Sequence, residues 1–146
     1  MELSCKSEYA LLALLELADH YASGEPLQIR QISAQQNIPD RYLEQLLATL
    51  RRAGIVRSQR GAKGGYLLNR EPRNITVLDV VNCLEGLEPS DSDPPAQLTK
   101  TLGGAVIGDM WQEACQAANA ILQGYTLKDL RDRRDARKQL DFMYYI

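Results

Sequence analysis

Residues 42–68 read YLEQLLATLRRAGIVRSQRGAKGGYLL, and this stretch contains the pattern that decides the fold. Leucines recur at helical spacing through its first third, and residues 55–60 then alternate between apolar and polar types as a strand does. A loop with three glycines follows, and residues 66–69 have the character of a second strand. The order of helix, strand, glycine-rich loop and strand predicts a helix joined to a β-hairpin.

The helix that begins this stretch has one apolar and one polar face. Its leucines recur at i, i+3, i+4 and i+7, so that side should dock on a core. The other side has long polar side chains that are free to meet a ligand, and Gly54 is a natural end for the helix. The apolar face carries Leu43, Leu46, Leu47 and Leu50, and the polar face carries Arg41, Glu44, Gln45, Ala48 and Arg52.

The loop RGAKGG at 60–65 suggests a phosphate contact, because glycine-rich basic loops often bind one. A nucleotide-binding P-loop needs Gly-Lys-Ser/Thr at the start of a helix, whereas these glycines close a hairpin and a strand follows. Glycines also allow a sharp turn and a close approach of the backbone to a groove. We therefore predict the wing of a winged helix-turn-helix, with Arg60, Lys63 and Gly64 at the DNA; the alternative is an inert hairpin.

The residues before this stretch complete a helix-turn-helix. A first helix should run from Ser4 or Ser7 to about residue 22, and a second should span 29–36. A tight turn at NIPD then places Pro39 in the first turn of the third helix, which in this plan enters the DNA major groove. The first helix should bury Leu11, Leu14, Leu15, Ala18 and Ala22, and the second Ile29, Ile32 and Ala34.

The residues after the hairpin close the first domain. Thr76 and Asp79 have the spacing of a capping box for a fourth helix, which Gly86 should end. Residues 87–97 are acidic and rich in proline, as linkers are. We therefore predict a mainly α-helical fold with a small β-hairpin, in which residues 1–86 form a winged helix-turn-helix domain.

Residues 98–125 should form a dimerisation helix, best defined over 105–123. This helix is apolar on two sides and needs cover on both. Its own domain can cover one side, and a second copy of the chain most simply covers the other, which predicts a homodimer. The dimerisation residues are Val106, Ile107, Met110, Trp111, Ala114, Ala117, Ala118, Ile121 and Leu122.

Residues 126–146 should form a C-terminal helix and tail. Thr126 and Asp129 repeat the capping-box spacing at the start of the helix. Along it, the pairs Asp129–Arg133 and Arg131–Asp135 lie four residues apart, so we expect weak ion pairs that keep the helix solvated.

Charge is distributed unevenly along the 146 residues, whose net charge is −2. Residues 28–73 contain nine lysines and arginines against three acids, a net of +6, which leaves −8 for the rest. Such asymmetry is typical of a polyanion-binding module on an acidic body.

No apolar run reaches the roughly 18 residues of a membrane span and no signal-peptide pattern occurs, so we expect a cytoplasmic protein. The sequence lacks a histidine–carboxylate–nucleophile set, which argues against an enzyme.

The segments KSEYALLALLELA, YLEQLLATLRRAGIV, RGAKGGYLL and ITVLDVV together resemble the repressor family that includes IscR, NsrR and CymR. The likeness is strongest up to about residue 86. It implies a dimeric winged helix-turn-helix regulator that binds a roughly palindromic operator in double-stranded DNA. By position, Tyr42, Glu44 and Gln45 fall on the DNA-reading helix, and Arg60 would enter the minor groove.

Members such as IscR and NsrR hold an iron–sulfur cluster with three closely spaced cysteines before the dimerisation helix. Residues 89–111 contain neither cysteine nor histidine here, and such clusters need thiolate ligands. The chain therefore resembles the cluster-free, CymR-like branch, with no cofactor or metal site expected. Its signal would be an effector ligand, a partner protein or thiol chemistry at Cys5, Cys83 or Cys115, although the latter two are equally consistent with buried helix residues.

These patterns together predict a homodimeric, sequence-specific DNA-binding transcription factor that acts as a repressor. One alternative is a winged-helix module that binds proteins and not DNA. Another is an iron–sulfur or redox-sensing regulator with atypical ligands. The predicted DNA-binding residues are Arg41, Tyr42, Glu44, Gln45, Arg51, Arg52, Arg57, Arg60, Lys63 and Gly64.

Overall fold

A computed structural model describes residues 3–85 and 101–144 of the chain. The predicted linker at 87–97, the helix end at Gly86 and the last two residues of the tail lie outside these ranges. The described part is mainly helical with one antiparallel hairpin, which confirms the predicted fold class. Its elements are α1 (Cys5–Asp19), α2 (Ile29–Gln36), α3 (Asp40–Arg52), β1 (Val56–Gln59), β2 (Gly65–Leu68), a 3-10 turn (Pro72–Asn74), α4 (Val77–Glu85), α5 (Leu102–Gly124) and α6 (Leu127–Tyr144).

Helix α1 is the centre of the N-terminal core, and its buried face differs from the predicted one. Ser4 caps the helix by accepting a hydrogen bond from the Ser7 amide. Leu11 and Leu15 are only half-buried, and Ala22 lies exposed beyond the helix end. The helix is apolar almost all round, so small alanines, which permit close helix packing, decide which side turns inward. The buried side chains are Ser7, Ala10, Ala13, Leu14, Leu17 and Ala18.

The turn between α2 and α3 is built by local hydrogen bonds. Asn37 ends α2 in the left-handed conformation, with φ of 57°, and Ser33 Oγ donates to the Ile38 carbonyl at 2.5 Å. Pro39 occupies the N-cap position directly before α3. Ile32 is buried as predicted, but Ala34 is exposed, because it faces away from the core on this two-turn helix.

The hairpin is held to the rest of the fold by a third backbone segment. Its strands pair from Val56 opposite Leu68 to Gln59 opposite Gly65. On the outer side of β2, Leu27 and Tyr66 exchange two backbone hydrogen bonds, of 3.0 and 2.8 Å. The hairpin is therefore hydrogen-bonded to the segment that precedes α2.

Helix α6 returns to the N-terminal core. The Val77 amide donates to the Tyr125 carbonyl at 2.8 Å, and the Leu127 amide donates to the Ile75 carbonyl at 3.0 Å. Leu127 is fully buried in the same cluster as α1 and α3. The two predicted capping boxes are confirmed: Thr76 with Asp79, and Thr126 with Asp129, each exchange a pair of hydrogen bonds.

The ion pairs predicted along α6 are wrong, because tertiary partners compete for the arginines. Arg131 donates to the Ala18 carbonyl at 2.9 Å, and Arg133 lies over the Tyr125 ring at 4.6 Å. Arg134 pairs with Asp19 of α1 at 2.7 Å. In the described part of the chain, the i,i+4 ion pair on α6 joins Lys128 to Asp132 instead.

Helix α5 contributes almost nothing to the core of a single chain. Its first apolar stripe is exposed along its whole length, with Val106 at 67% and Met110 at 55% exposure; this stripe consists of Val106, Met110, Ala117 and Ile121, and the second of Ile107, Trp111, Cys115, Ala118 and Leu122. The second stripe is half-buried at Cys115, Ala118 and Leu122 but is exposed at Ile107 and Trp111. The expectation that its own domain can cover one side thus holds for only part of the second stripe, because α4, against which α5 packs, is less than half as long. Neither α5 nor any other described helix is long and apolar enough to cross a membrane.

Candidate nucleic-acid interface

The outer face of α3 presents polar side chains to solvent. Its four leucines are buried as predicted, and this anchoring leaves Arg41, Glu44, Gln45 and Arg52 exposed on the opposite side. Helices anchored in this way can enter a major groove without losing contact with their own core. The structure thus places four of the predicted DNA-binding residues on one accessible surface.

Tyr42 differs from its neighbours on α3. It is half-buried and packs edge-on against the ring of Tyr9 on α1, with 5.5 Å between the ring centroids. The predicted DNA-binding role of Tyr42 therefore concerns at most its exposed part, because its ring helps fix α3 to α1.

Helix α3 and the hairpin are adjacent and directly linked. The Arg51 guanidinium donates to Ser58 Oγ at 3.4 Å, which joins the last turn of α3 to β1. Arg57, beside Ser58 in the strand, is exposed. Helix α3 and the hairpin therefore lie side by side, as the predicted DNA binding by both requires.

The loop at 60–65 is shaped by its glycines. The Gly64 amide donates to the Gly61 carbonyl at 2.9 Å, and a Cβ at Gly64 would lie 2.2 Å from the Gln59 carbonyl oxygen. Gly65 has φ of +155°, and its Cβ would lie 2.4 Å from the Leu27 carbonyl oxygen. Gly64 is itself buried, which corrects its predicted place at the DNA: it shapes the loop, while Arg60 and Lys63 remain exposed.

The cations of this surface are not neutralised by described neighbours. Within residues 3–85 and 101–144, ion pairs involve Arg70, Arg73, Lys128 and Arg134. None involves the exposed cations of α3 and the hairpin, so their positive potential faces solvent and favours a polyanion. These cations are Arg41, Arg51, Arg52, Arg57, Arg60 and Lys63.

The three cysteines lie on three different helices. Cys5 is exposed at the start of α1, whereas Cys83 on α4 and Cys115 on α5 are half-buried. The Cys83 thiol donates to the Thr49 carbonyl of α3 at 3.7 Å. Burial raises the pKa of the Cys83 thiol, and nearby Arg52 opposes this only in part. Cys83 is therefore a poor nucleophile at neutral pH, since the thiolate is the reactive form.

Sequence reasoning missed one residue near this surface. Lys6, in the first turn of α1, lines a cleft together with Gln45 and Arg52 of α3. A lone lysine after a helix cap is normally a solvated residue, and its neighbours lie about 40 residues further along the chain. The sequence contained no signal that could have placed it here.

The chain is similar to known proteins along most of its length. The family described as "Rrf2: Iron-dependent Transcriptional regulator" matches residues 3–133. The HTH-type transcriptional regulator CymR of Bacillus subtilis (strain 168) is 35% identical over 150 residues, with 100% of each chain covered. Among solved structures, T. potens IscR matches with a TM-score of 0.74 and 36% identity, covering 93% of this chain and 90% of that chain. The structure of CymR, the global cysteine regulator of B. subtilis, matches with a TM-score of 0.72 and 34% identity, covering 91% and 98%.

Proposed function

Because the chain belongs to the Rrf2 family of transcriptional regulators, we propose that it acts as a homodimeric repressor of a roughly palindromic operator. Membership of this family makes the chain a DNA-binding regulator and confirms that it is not an enzyme. Its ligand would be chromosomal DNA, which would place the protein in the cytoplasm.

The observation that supports this function best is the set of exposed cations on α3 and the adjacent hairpin. Arg41, Glu44 and Gln45 would meet base edges in the major groove, where arginine and glutamine have specific pairing geometries. Arg60 at the wing tip would enter the neighbouring minor groove, where the negative potential attracts arginine. The other cations, Arg51, Arg52, Arg57 and Lys63, would contact phosphates and fix the register.

The homodimer is supported by the exposed apolar stripes of α5. Contiguous exposed apolar surface of this kind marks an interaction site. A second copy would cover the first stripe and the exposed part of the second, at Ile107 and Trp111. The alanines at 114, 117 and 118 would let the two helices approach closely. A two-fold dimer presents two equivalent reading helices, which is why the operator should be roughly palindromic.

The family description mentions iron, but the donor set of this chain does not fit a thiolate-bound cluster. In the described ranges, no three histidine, cysteine, aspartate or glutamate side chains are grouped to hold a metal ion. The intervening residues 86–100 include no cysteine or histidine. We propose regulation by an effector ligand, a partner protein or thiol chemistry, and an anaerobically purified sample should be colourless in the visible range.

The experiment first selects a preferred duplex from a random pool with the wild-type protein, then measures binding by fluorescence anisotropy over a salt series. Lys63→Gln should weaken binding to preferred and random duplexes alike and reduce the slope of log K against log salt by about one per protomer. Glu44→Ala should instead reduce the preference between the two duplexes. Lys138→Gln, which removes an exposed cation on α6, is the matched control.

Two results would contradict the proposal. One is wild-type binding that never distinguishes the selected duplex from random DNA. The other is wild-type behaviour of Lys63→Gln, Arg60→Ala and Glu44→Ala on both duplexes. For the repressor role, transcription in vitro from a promoter overlapping the selected site should fall as protein is added, and a rise would identify an activator.

A further inference from the structure

A cleft of about 370 Å³ opens between the first turn of α1, the side of α3 and the end of α4. Lys6 of α1 and Arg52 of α3 are its two cations, and Gln45 and Thr49 of α3 add polar atoms. Leu84 of α4 is among its apolar lining residues. Lys6 is exposed, and no described carboxylate lies within ion-pair distance of it. The cleft therefore offers two positive charges to an incoming anion.

The first turn of α1, which carries Lys6, is fixed by hydrogen bonds to the end of α4. Ser4 and Ser7 both donate hydrogen bonds to Glu85 Oε1, the latter at 2.9 Å, and Ser7 is fully buried. These two hydrogen bonds, with a smaller contribution from Lys6, lower the pKa of the Glu85 carboxyl. The carboxylate thus stays ionised at neutral pH and keeps its serine partners, which fixes the turn that carries Lys6.

The cleft lies on the flank of α3 opposite the wing. Thr49 lines the cleft, whereas Arg51 reaches Ser58 of the hairpin. Two residues on a helix differ in direction by about 200°, so these contacts mark opposite flanks of α3. A helix in the major groove has one phosphate backbone on each side. With the hairpin at one backbone, the cleft would face the other.

We propose that Lys6, with Arg52 beside it, binds a backbone phosphate on the side of the major groove away from the wing. This inference rests on the proposed DNA-binding function and adds α1 as a third DNA-contacting element. It predicts that each half-site extends beyond the bases read by α3 in the direction away from the wing contact.

The test is a scan of the selected duplex in which one phosphate at a time is replaced by a neutral methylphosphonate. Wild-type protein should lose several-fold in affinity at one further phosphate per half-site, on the side away from the wing. Lys6→Gln should bind the unmodified duplex about 3- to 10-fold more weakly and should be insensitive to replacement of that phosphate. Because Lys6 is exposed, the variant should keep the wild-type melting temperature.

Two controls separate this inference from the proposed function. Arg60→Ala should lose sensitivity at a different phosphate or groove position, and Lys138→Gln should match wild type throughout. If Arg60→Ala weakens binding but Lys6→Gln has wild-type affinity, the function stands and the Lys6 contact is wrong. If Lys6→Gln weakens binding yet keeps the full wild-type methylphosphonate profile, a direct phosphate contact is also excluded.

Discussion

The N-terminal region and helix α5 differ in how far they bury their apolar residues. Residues 3–85 contain nearly all of the fully buried side chains, among them Leu14, Leu43, Leu47 and Leu50. In α5, Gly104 is the single buried residue, while Trp111 remains 64% exposed. The first region is thus stabilised by its own contacts, whereas α5 has an apolar surface that the described residues of its own chain leave exposed. Stability and association should therefore be separable by substitution.

The largest expected effect is in the self-contained region. Leu47→Ala removes a fully buried side chain from α3 and should lower the free energy of unfolding by about 2–5 kcal/mol. Urea denaturation followed by circular dichroism measures this. The loss should appear at every protein concentration, and a change below about 1 kcal/mol would show that this core is not what stabilises the fold.

The next effect concerns association. Met110→Asp places a charge in the exposed first stripe of α5, which in a dimer would be buried without a partner. The dimer dissociation constant should rise at least about a hundredfold, since each 1.4 kcal/mol is tenfold. Sedimentation velocity over a concentration series measures it. Gln116→Asp, on the polar side of the same helix, is the control, and equal behaviour of the two variants would argue against this interface.

A smaller effect compares two helix caps. The Thr76 side chain caps α4, and the Thr101 side chain accepts from the Gly104 amide at the start of α5. Thr76→Ala should lower the free energy of unfolding by about 1 kcal/mol. Thr101→Ala should lower the free energy of unfolding by less than half of that, because α5 as a whole buries only Gly104. It should also speed amide exchange in the first turn of α5. Equal global costs would mean that α5 is part of the cooperative core.

The smallest effect is in thiol labelling. Cys83 belongs to the self-contained region and Cys115 to α5, and both are half-buried in one chain. In Met110→Asp, Cys115 should react severalfold faster than in the wild-type protein, because the proposed second copy would also cover Trp111, which lies one turn before Cys115. The rate at Cys83 should stay unchanged. Mass spectrometry of samples quenched over time distinguishes the sites. Parallel acceleration at both would indicate general unfolding of the variant.

The sequence predicted best where one local pattern dominates. The predicted bounds of α2 and the predicted buried face of α3 were correct. Helix caps and the regular spacing of leucines allow only one arrangement of each helix. The face of α1 was half wrong, because LLALLELA is apolar in nearly every direction. Helix α5 begins at Leu102, inside the predicted range of 98–125 and three residues before its best-defined part at 105–123. Thr101 caps this start and offsets the helix-weakening effect of Gly103 and Gly104.

Contacts between different elements could not be predicted from the sequence. The Arg51–Ser58 hydrogen bond depends on how the hairpin packs beside α3, and the approach of Lys6 to Arg52 depends on how α1 packs against α3. The arginines of α6 show the same limit. The spacing of charges favoured ion pairs with aspartates four residues away. Instead, Arg131 donates to a backbone carbonyl and Arg133 lies over a tyrosine ring.

The two consecutive glycines that end the wing loop have a consequence for how such regulators diverge. Gly64 and Gly65 maintain the frame of the loop, whereas Arg60, Ala62 and Lys63 project from it and bear no packing. Substitution of the three tip residues, as would follow a gene duplication, should therefore not harm folding. Replacement of either glycine should instead distort the hairpin, so divergence is expected at the tip of the loop and not at these two glycines.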